Sequence, residues 1–114
     1  MDTVAVGCIR LLYRVVGREQ IGHDVPIQVG FAPGRRVDSG VERNRVRRLL
    51  REVYRVHQHT LVDLFVSRPE ALIVMILFRG APAQADDCIE RDLPQAMEQV
   101  ADRFSSTEGS DFTS

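Results

Sequence analysis

Residues 71–78 read ALIVMILF, eight apolar side chains in succession. A strand sends alternate side chains to opposite faces, so a run that is apolar at every position predicts a central strand covered on both sides. That requirement constrains everything else, because a chain of 114 residues can build one modest core and not two. The run is too short for a membrane helix, which needs about 20 apolar residues. An apolar share of 44% and a charged share of 27% are those of an ordinary soluble globular protein. The first residues, MDTVAV, carry an acid and no basic region, so they do not read as a secretory signal. A cytoplasmic protein with no membrane partner is expected. Cys8 and Cys88 stand far apart without metal-ligand spacing and read as buried thiols.

The remaining segments supply neighbours for that strand. Residues 4–16, VAVGCIRLLYRVV, are rich in β-branched residues. Arg10, Leu12 and Arg14 alternate on one face of it, with Ile9, Leu11, Tyr13 and Val15 on the other. GREQIGHD is turn material around Gly17 and Gly22. VPIQVGFA at 25–32 reads as a second strand with one covered and one open face: Ile27, Val29 and Phe31 against Gln28, Gly30 and Ala32. Pro33-Gly34 ends it, and a short arginine-bearing loop follows. Ser39 followed by Glu42 is a capping-box pattern, which predicts a helix starting near Gly40. Val46, Leu49, Leu50, Val53 and His57 share one face of this helix. Helicity is expected to continue, with a bend, to Arg68-Pro69. RGAPAQADD reads as loop, and CIERDLPQAMEQVADRF as a last helix with Pro94 an irregularity near its first turns. One domain over 1–104 is expected, with SSTEGSDFTS at 105–114 a disordered tail.

Charge is distributed unevenly. All fifteen basic residues are arginine, a bias that a GC-rich genome or a salty cytoplasm would each produce. Residues 35–55 hold eight arginines against Asp38, Glu42 and Glu52, a local net of +5, whereas residues 86–114 hold eight acids against Arg91 and Arg103, a local net of −6. The net charge of −1 therefore conceals a basic middle and an acidic end. Asn44, Arg47, Arg48, Arg51 and Arg55 project away from the apolar helix face, with Arg43 and Arg45 on the flanks. Arg48–Glu52 and Glu52–Arg55 are the obvious intrahelical pairs, so most of this face lacks compensation. A solvated helix face explains such crowding poorly. A row of guanidiniums extended by Arg35 and Arg36 suits the phosphates of a polyanion, with RNA favoured over DNA because no helix-turn-helix pair accompanies it.

At this point the chain resembles a known family. VGFAPGRRVDSGVERNRVRRLLRE, residues 29–52, is similar without a gap to the signature region of the bacterial ribonuclease P protein component, including the Arg-Asn-Arg core at Arg43, Asn44 and Arg45. ALIVMILFRG resembles the family's following strand, which commonly ends in an arginine, here Arg79. The resemblance implies an α+β fold: a two-layer α/β sandwich, its small sheet packed on helices, with a left-handed β-α-β crossover through the arginine helix. General handedness rules predict the opposite. It also implies an accessory subunit of an RNA-based endoribonuclease, partnering ribonuclease P RNA in removing the 5′ leader of precursor tRNA. The protein would hold no cofactor of its own and no catalytic residue, with magnesium on the partner RNA. Arg35, Arg36, Arg43, Asn44, Arg45, Arg47, Arg48 and Arg51 would contact RNA. Ala32 and Arg79 would belong to a leader cleft; for the first strand, the family's aromatic position falls on Tyr13, whereas alternation favours Arg10 and Arg14.

Departures from the family pattern accompany the match. The family usually opens with a basic helix bearing two phenylalanines, while the first residues here read as strand. Asp38, Ser39 and Glu42 lower the positive charge near the signature, and the chain ends acidic. An RNA-binding module or decayed paralogue without processing activity is the alternative, as is an interaction domain whose basic helix binds an acidic protein partner. His57, His59 and Asp63 read as core-edge and surface groups rather than a metal site. Asp86, Asp87 and Glu90 read as favourable charge at a helix start. No zinc, nucleotide-loop or nucleophile-elbow motif is present.

Overall fold

The structure is a computed structural model that describes residues 2–21 and 25–113, with side chains through residue 104. Its strands are β1 (Asp2–Val6), β2 (Ile9–Gly17), β3 (Ile27–Ala32) and β4 (Glu70–Phe78), and its helices α1 (Gly40–His57), α2 (His59–Phe65) and α3 (Ala85–Thr113). The sheet order is β1-β2-β4-β3, antiparallel except for the parallel β3–β4 pair, which is joined by the crossover through α1 and α2. The stretch read as one strand over 4–16 is two, because a turn at Gly7-Cys8 folds β1 back on β2. Gly7 takes a φ of +52°, and a Cβ there would collide with the Asp92 carboxylate. The signal was hidden because a two-residue turn barely interrupts a β-branched run.

β4 is central, as its composition demands, but among the described residues it is covered on one face only. Leu72, Val74, Ile76 and Phe78 are buried beneath the helices, while Ile73 and Leu77 are half-buried and Met75 is 38% exposed on the other face. The second apolar face is shared with neighbouring strands rather than roofed by another layer. Register sets its rows: Arg10, Leu77 and Ala32; Leu12, Met75 and Gly30; Arg14, Ile73 and Gln28. All the helices lie on the opposite side, α3 against β1 and β2, α1 against β3 and β4, and the two against each other. The result is the two-layer α/β sandwich.

The core joins Ile9, Leu11 and Tyr13 of β2 to Val46, Leu50 and Tyr54 of α1, Leu61 and Phe65 of α2, and Ile89, Leu93 and Met97 of α3. α1 starts where expected, since Ser39 accepts the Glu42 amide at 3.4 Å. Glu42 does not complete the box; its side chain pairs with Arg45 instead. Helicity breaks at Gln58 and resumes as α2, the expected bend. α3 starts earlier than read, at Ala85, so Pro94 lies well inside it. The tail assignment at 105–114 falls on residues whose side chains lie outside the described set.

Arg18 sits where only turn was read. It donates to the carbonyls of Phe65 and Arg68 at 2.9 Å each and to that of Glu70 at 3.3 Å, closing the end of α2 onto the start of β4. The cysteines are not separate thiols. Cys8 and Cys88, 80 residues apart, are joined in a disulfide with Cα atoms 6.2 Å apart. Spacing gives no hint of this, because only folding lays the β1–β2 turn against the first turn of α3.

Candidate nucleic-acid interface

The arginines of α1 fall into two groups. Arg43 reaches back under the loop, its Nη1 donating to the carbonyls of Gly34 at 2.9 Å and Val37 at 2.8 Å. Arg45 links three segments: it pairs with Glu42 at 3.0 Å and Asp86 at 3.1 Å and donates to the Pro82 carbonyl at 2.8 Å. The Glu42 hydrogen bond is the main reason the Arg45 guanidinium is held even more firmly charged than usual. These two outer arginines of the Arg-Asn-Arg core are structural ties as well as charges. Between them Asn44 is exposed, with Oδ1 accepting from Arg47 at 3.4 Å.

The second group faces outward. Arg48 and Arg51 are exposed, and Arg51 lies over the Phe31 ring at 5.9 Å. Among the described residues, Arg35, Arg36, Arg48 and Arg51 form no ion pair. Arg55 leaves this group because Glu52 pairs with it, and that guanidinium holds the Glu52 carboxyl below its ordinary range.

The loop before α1 brings further charge to the sheet edge. Gly34, at a φ of +84°, packs so closely on the Phe78 carbonyl that a Cβ would collide with it. That approach sets Arg35 and Arg36 beside Arg10 and Arg79 around a recess of about 330 Å³ floored by Leu77 and Phe78. Four guanidiniums around one recess repel each other unless an anion sits among them.

Of the residues read as a leader cleft, Arg10, Arg14, Ala32 and Arg79 lie on or beside the open sheet face, with Arg10 and Ala32 in one row. Tyr13 does not. It is 4% exposed on the core face, its hydroxyl accepts from Arg103 at 2.8 Å, and its ring meets Phe104 edge-on at 6.0 Å. Alternation, not the aromatic position, reads the register of β2. Among the described residues neither His57 nor His59 belongs to a cluster of metal-binding type; the one such cluster is Cys8, Cys88 and Asp92. Asp86 and Asp87 occupy the first turn of α3.

A family model described as Ribonuclease P matches residues 4–101. The chain belongs to that family. The ribonuclease P protein component of Natranaerobius thermophilus is 38% identical over 61 residues, covering 54% of this chain and 49% of that protein. The chain thus spans about half the length of the curated relative it matches. The structure of the Staphylococcus aureus RNase P protein is similar in fold, with a TM-score of 0.61 at 16% identity, covering 87% of this chain and 80% of that one. No helix among the described residues is long and apolar enough to cross a membrane.

Proposed function

We propose that this chain is the RNA-binding protein subunit of a ribonuclease P ribonucleoprotein, working in the cytoplasm to assist RNA-catalysed removal of the 5′ leader from precursor tRNA. The observation that carries the reading is the row Arg48–Arg51, without an ion pair among the described residues, together with Arg35 and Arg36 at a recess beside the open sheet face. Unpaired guanidiniums at that density favour a phosphate backbone, and displacement of its counterions supplies the binding free energy. In this reading α1 and the loop grip the large RNA. Arg10, Arg14, Ala32 and Arg79 line the strip along which a single-stranded leader runs, with Leu12 and Met75 offering an apolar ledge. The protein positions; the catalytic magnesium ions belong to the RNA, and no cofactor of the protein's own is required.

The test is reconstitution with ribonuclease P RNA from the source organism, at a magnesium concentration where that RNA alone cleaves precursor tRNA slowly. Stimulated leader removal that is lost when Arg35, Arg36, Arg48 and Arg51 become Ala is the expected result. RNA binding without stimulation would instead assign a binding module with no processing role. Absence of both would overturn the reading.

A further inference from the structure

Cys8 and Cys88 lie outside the arginine surface, yet the backbone connects them to it. The Cys8 carbonyl accepts from the Arg79 amide at 2.7 Å. Arg79 lines the four-arginine recess, and the Phe78 carbonyl just before it is where Gly34 packs, directly ahead of Arg35 and Arg36. On the other side, Cys88 lies in the first turn of α3, just after the segment that holds Arg45 of α1 through the Pro82 carbonyl at 2.8 Å and, more weakly, through Asp86. One disulfide therefore ties the β1–β2 turn, which holds the Arg79 amide, to the start of α3, which lies against α1. Asp92, 4% exposed, reinforces the junction by accepting the Cys8 amide at 3.0 Å and Arg91 Nε at 2.9 Å.

Building on the RNA-binding role above, we propose that Cys8–Cys88 is a reversible redox latch. Closed, it holds the four-arginine recess in its RNA-binding geometry; low-molecular-weight thiols open it and weaken RNA binding. The chemistry is thiol–disulfide exchange. A thiolate attacks one sulfur of the bridge, the S–S bond breaks, and the other cysteine leaves as a thiolate. A second thiol resolves the mixed disulfide. Two small thiols are thereby oxidised to their disulfide, and Cys8 and Cys88 each take up one electron and one proton. A low-molecular-weight disulfide drives the reverse.

The surroundings suit such exchange. Each cysteine is 9% exposed, close beneath the surface. Arg91 Nη2 lies 3.4 Å from Cys88 Sγ, and Cys88 stands in the opening turns of α3; both favour a thiolate there. Asp92 Oδ2, 3.0 Å from the same sulfur, accepts the Cys8 amide and, once the bridge is reduced, can also accept the proton of a Cys88 thiol. Disulfides in reducing compartments are, as a rule, transient or sensing. The two sulfurs and Asp92 lie within 4.8 Å of one another, but sulfurs bonded together offer no thiolate to a metal.

The experiment compares the full chain oxidised with a small disulfide, the same sample reduced with a dithiol, and the double variant Cys8→Ser/Cys88→Ser. Two readouts are taken: hydrogen exchange at the Arg79 amide, and affinity for ribonuclease P RNA at low salt. Reduction is expected to speed Arg79 exchange by about tenfold or more and to weaken RNA binding by roughly five- to tenfold, with reoxidation restoring both. The double variant should match the reduced form and ignore thiols. RNA affinity identical in the two redox forms would overturn the latch while leaving RNA binding intact, as would a bridge that persists in millimolar thiol. Lack of salt-dependent RNA binding in either form would overturn the RNA role itself, and the latch with it.

Discussion

Arg43 and Arg45 differ from Arg48 and Arg51 in everything except residue type and helix. The first pair spends its guanidiniums on carbonyls and carboxylates of the protein: Gly34 and Val37 for Arg43; Pro82, Glu42 and Asp86 for Arg45. The second pair has no ion-pair partner among the described residues and faces solvent. A cluster of identical charges on one helix is thus two devices. One fixes the loop that carries Arg35 and Arg36; the other presents charge. Even the ties are not equal, because the Arg45–Asp86 pair is largely exposed and worth little, whereas the carbonyl contacts of Arg43 are partly buried.

The largest effect that separates the devices is on affinity. Replacing Arg35, Arg36, Arg48 and Arg51 with Ala should weaken binding to structured RNA by more than about 100-fold and flatten its salt dependence by about three to four in log–log slope. Thermal unfolding should stay within a few degrees of the parent, since exposed positions away from structural ties contribute little to stability. Arg43→Ala should do the reverse. Losing two charge-assisted bonds to loop carbonyls costs about 2 kcal/mol, which calorimetry should read as a Tm lower by roughly 8 °C. RNA affinity should then fall indirectly, through a loosened loop. If Arg43→Ala left Tm unchanged, the structural assignment of this arginine would be wrong.

Two smaller effects sharpen the contrast from the core side. Asp92 is held below its ordinary carboxyl value of 3.8, first by Arg91 and then by the Cys8 amide. A carboxyl whose folded value is depressed stabilises fully above the unfolded value, and that stability is lost as the pH falls through the folded one. Urea unfolding at descending acid pH should therefore show a loss of stability below about pH 4 that Asp92→Asn lacks, with the variant less stable at neutral pH. The Tyr54 hydroxyl is buried without a partner among the described residues, and burial pushes its ionisation up to about 12. Tyr54→Phe removes an unsatisfied group and should raise stability by about 0.5–1 kcal/mol, a Tm gain of a few degrees.

How much of this could be read from the residues follows from how far each interaction reaches. Ser39 and Glu42 announce the start of α1 because a cap acts over three residues, and Val46 and Leu50 mark its buried face because periodicity is local. The open-face register of Arg10, Arg14 and Ala32 follows from alternation alone. Tyr54 is not legible as core, since it stands beside Arg55 and carries a hydroxyl that finds no partner among the described residues. Arg43 and Arg45 could be placed in an RNA-contacting row but not recognised as ties, because most of their partners are backbone carbonyls that no side-chain pattern records. The disulfide and the Arg18 clasp were invisible for the same reason on a longer scale: both join residues about 50 to 80 positions apart. ALIVMILF names its strand as central, but a second apolar face is compatible with an open surface as well as with a covered one.

The most direct measurement is the salt dependence of binding between the intact protein and ribonuclease P RNA, made alongside the Arg35, Arg36, Arg48 and Arg51 to Ala variant. If four to six phosphates are neutralised, the parent should give a log–log slope of about −3 to −5 and the folded variant a slope flatter by about three to four. A flat response in the parent, or equal slopes for the two proteins, would contradict the assignment of the outward-facing arginines to RNA.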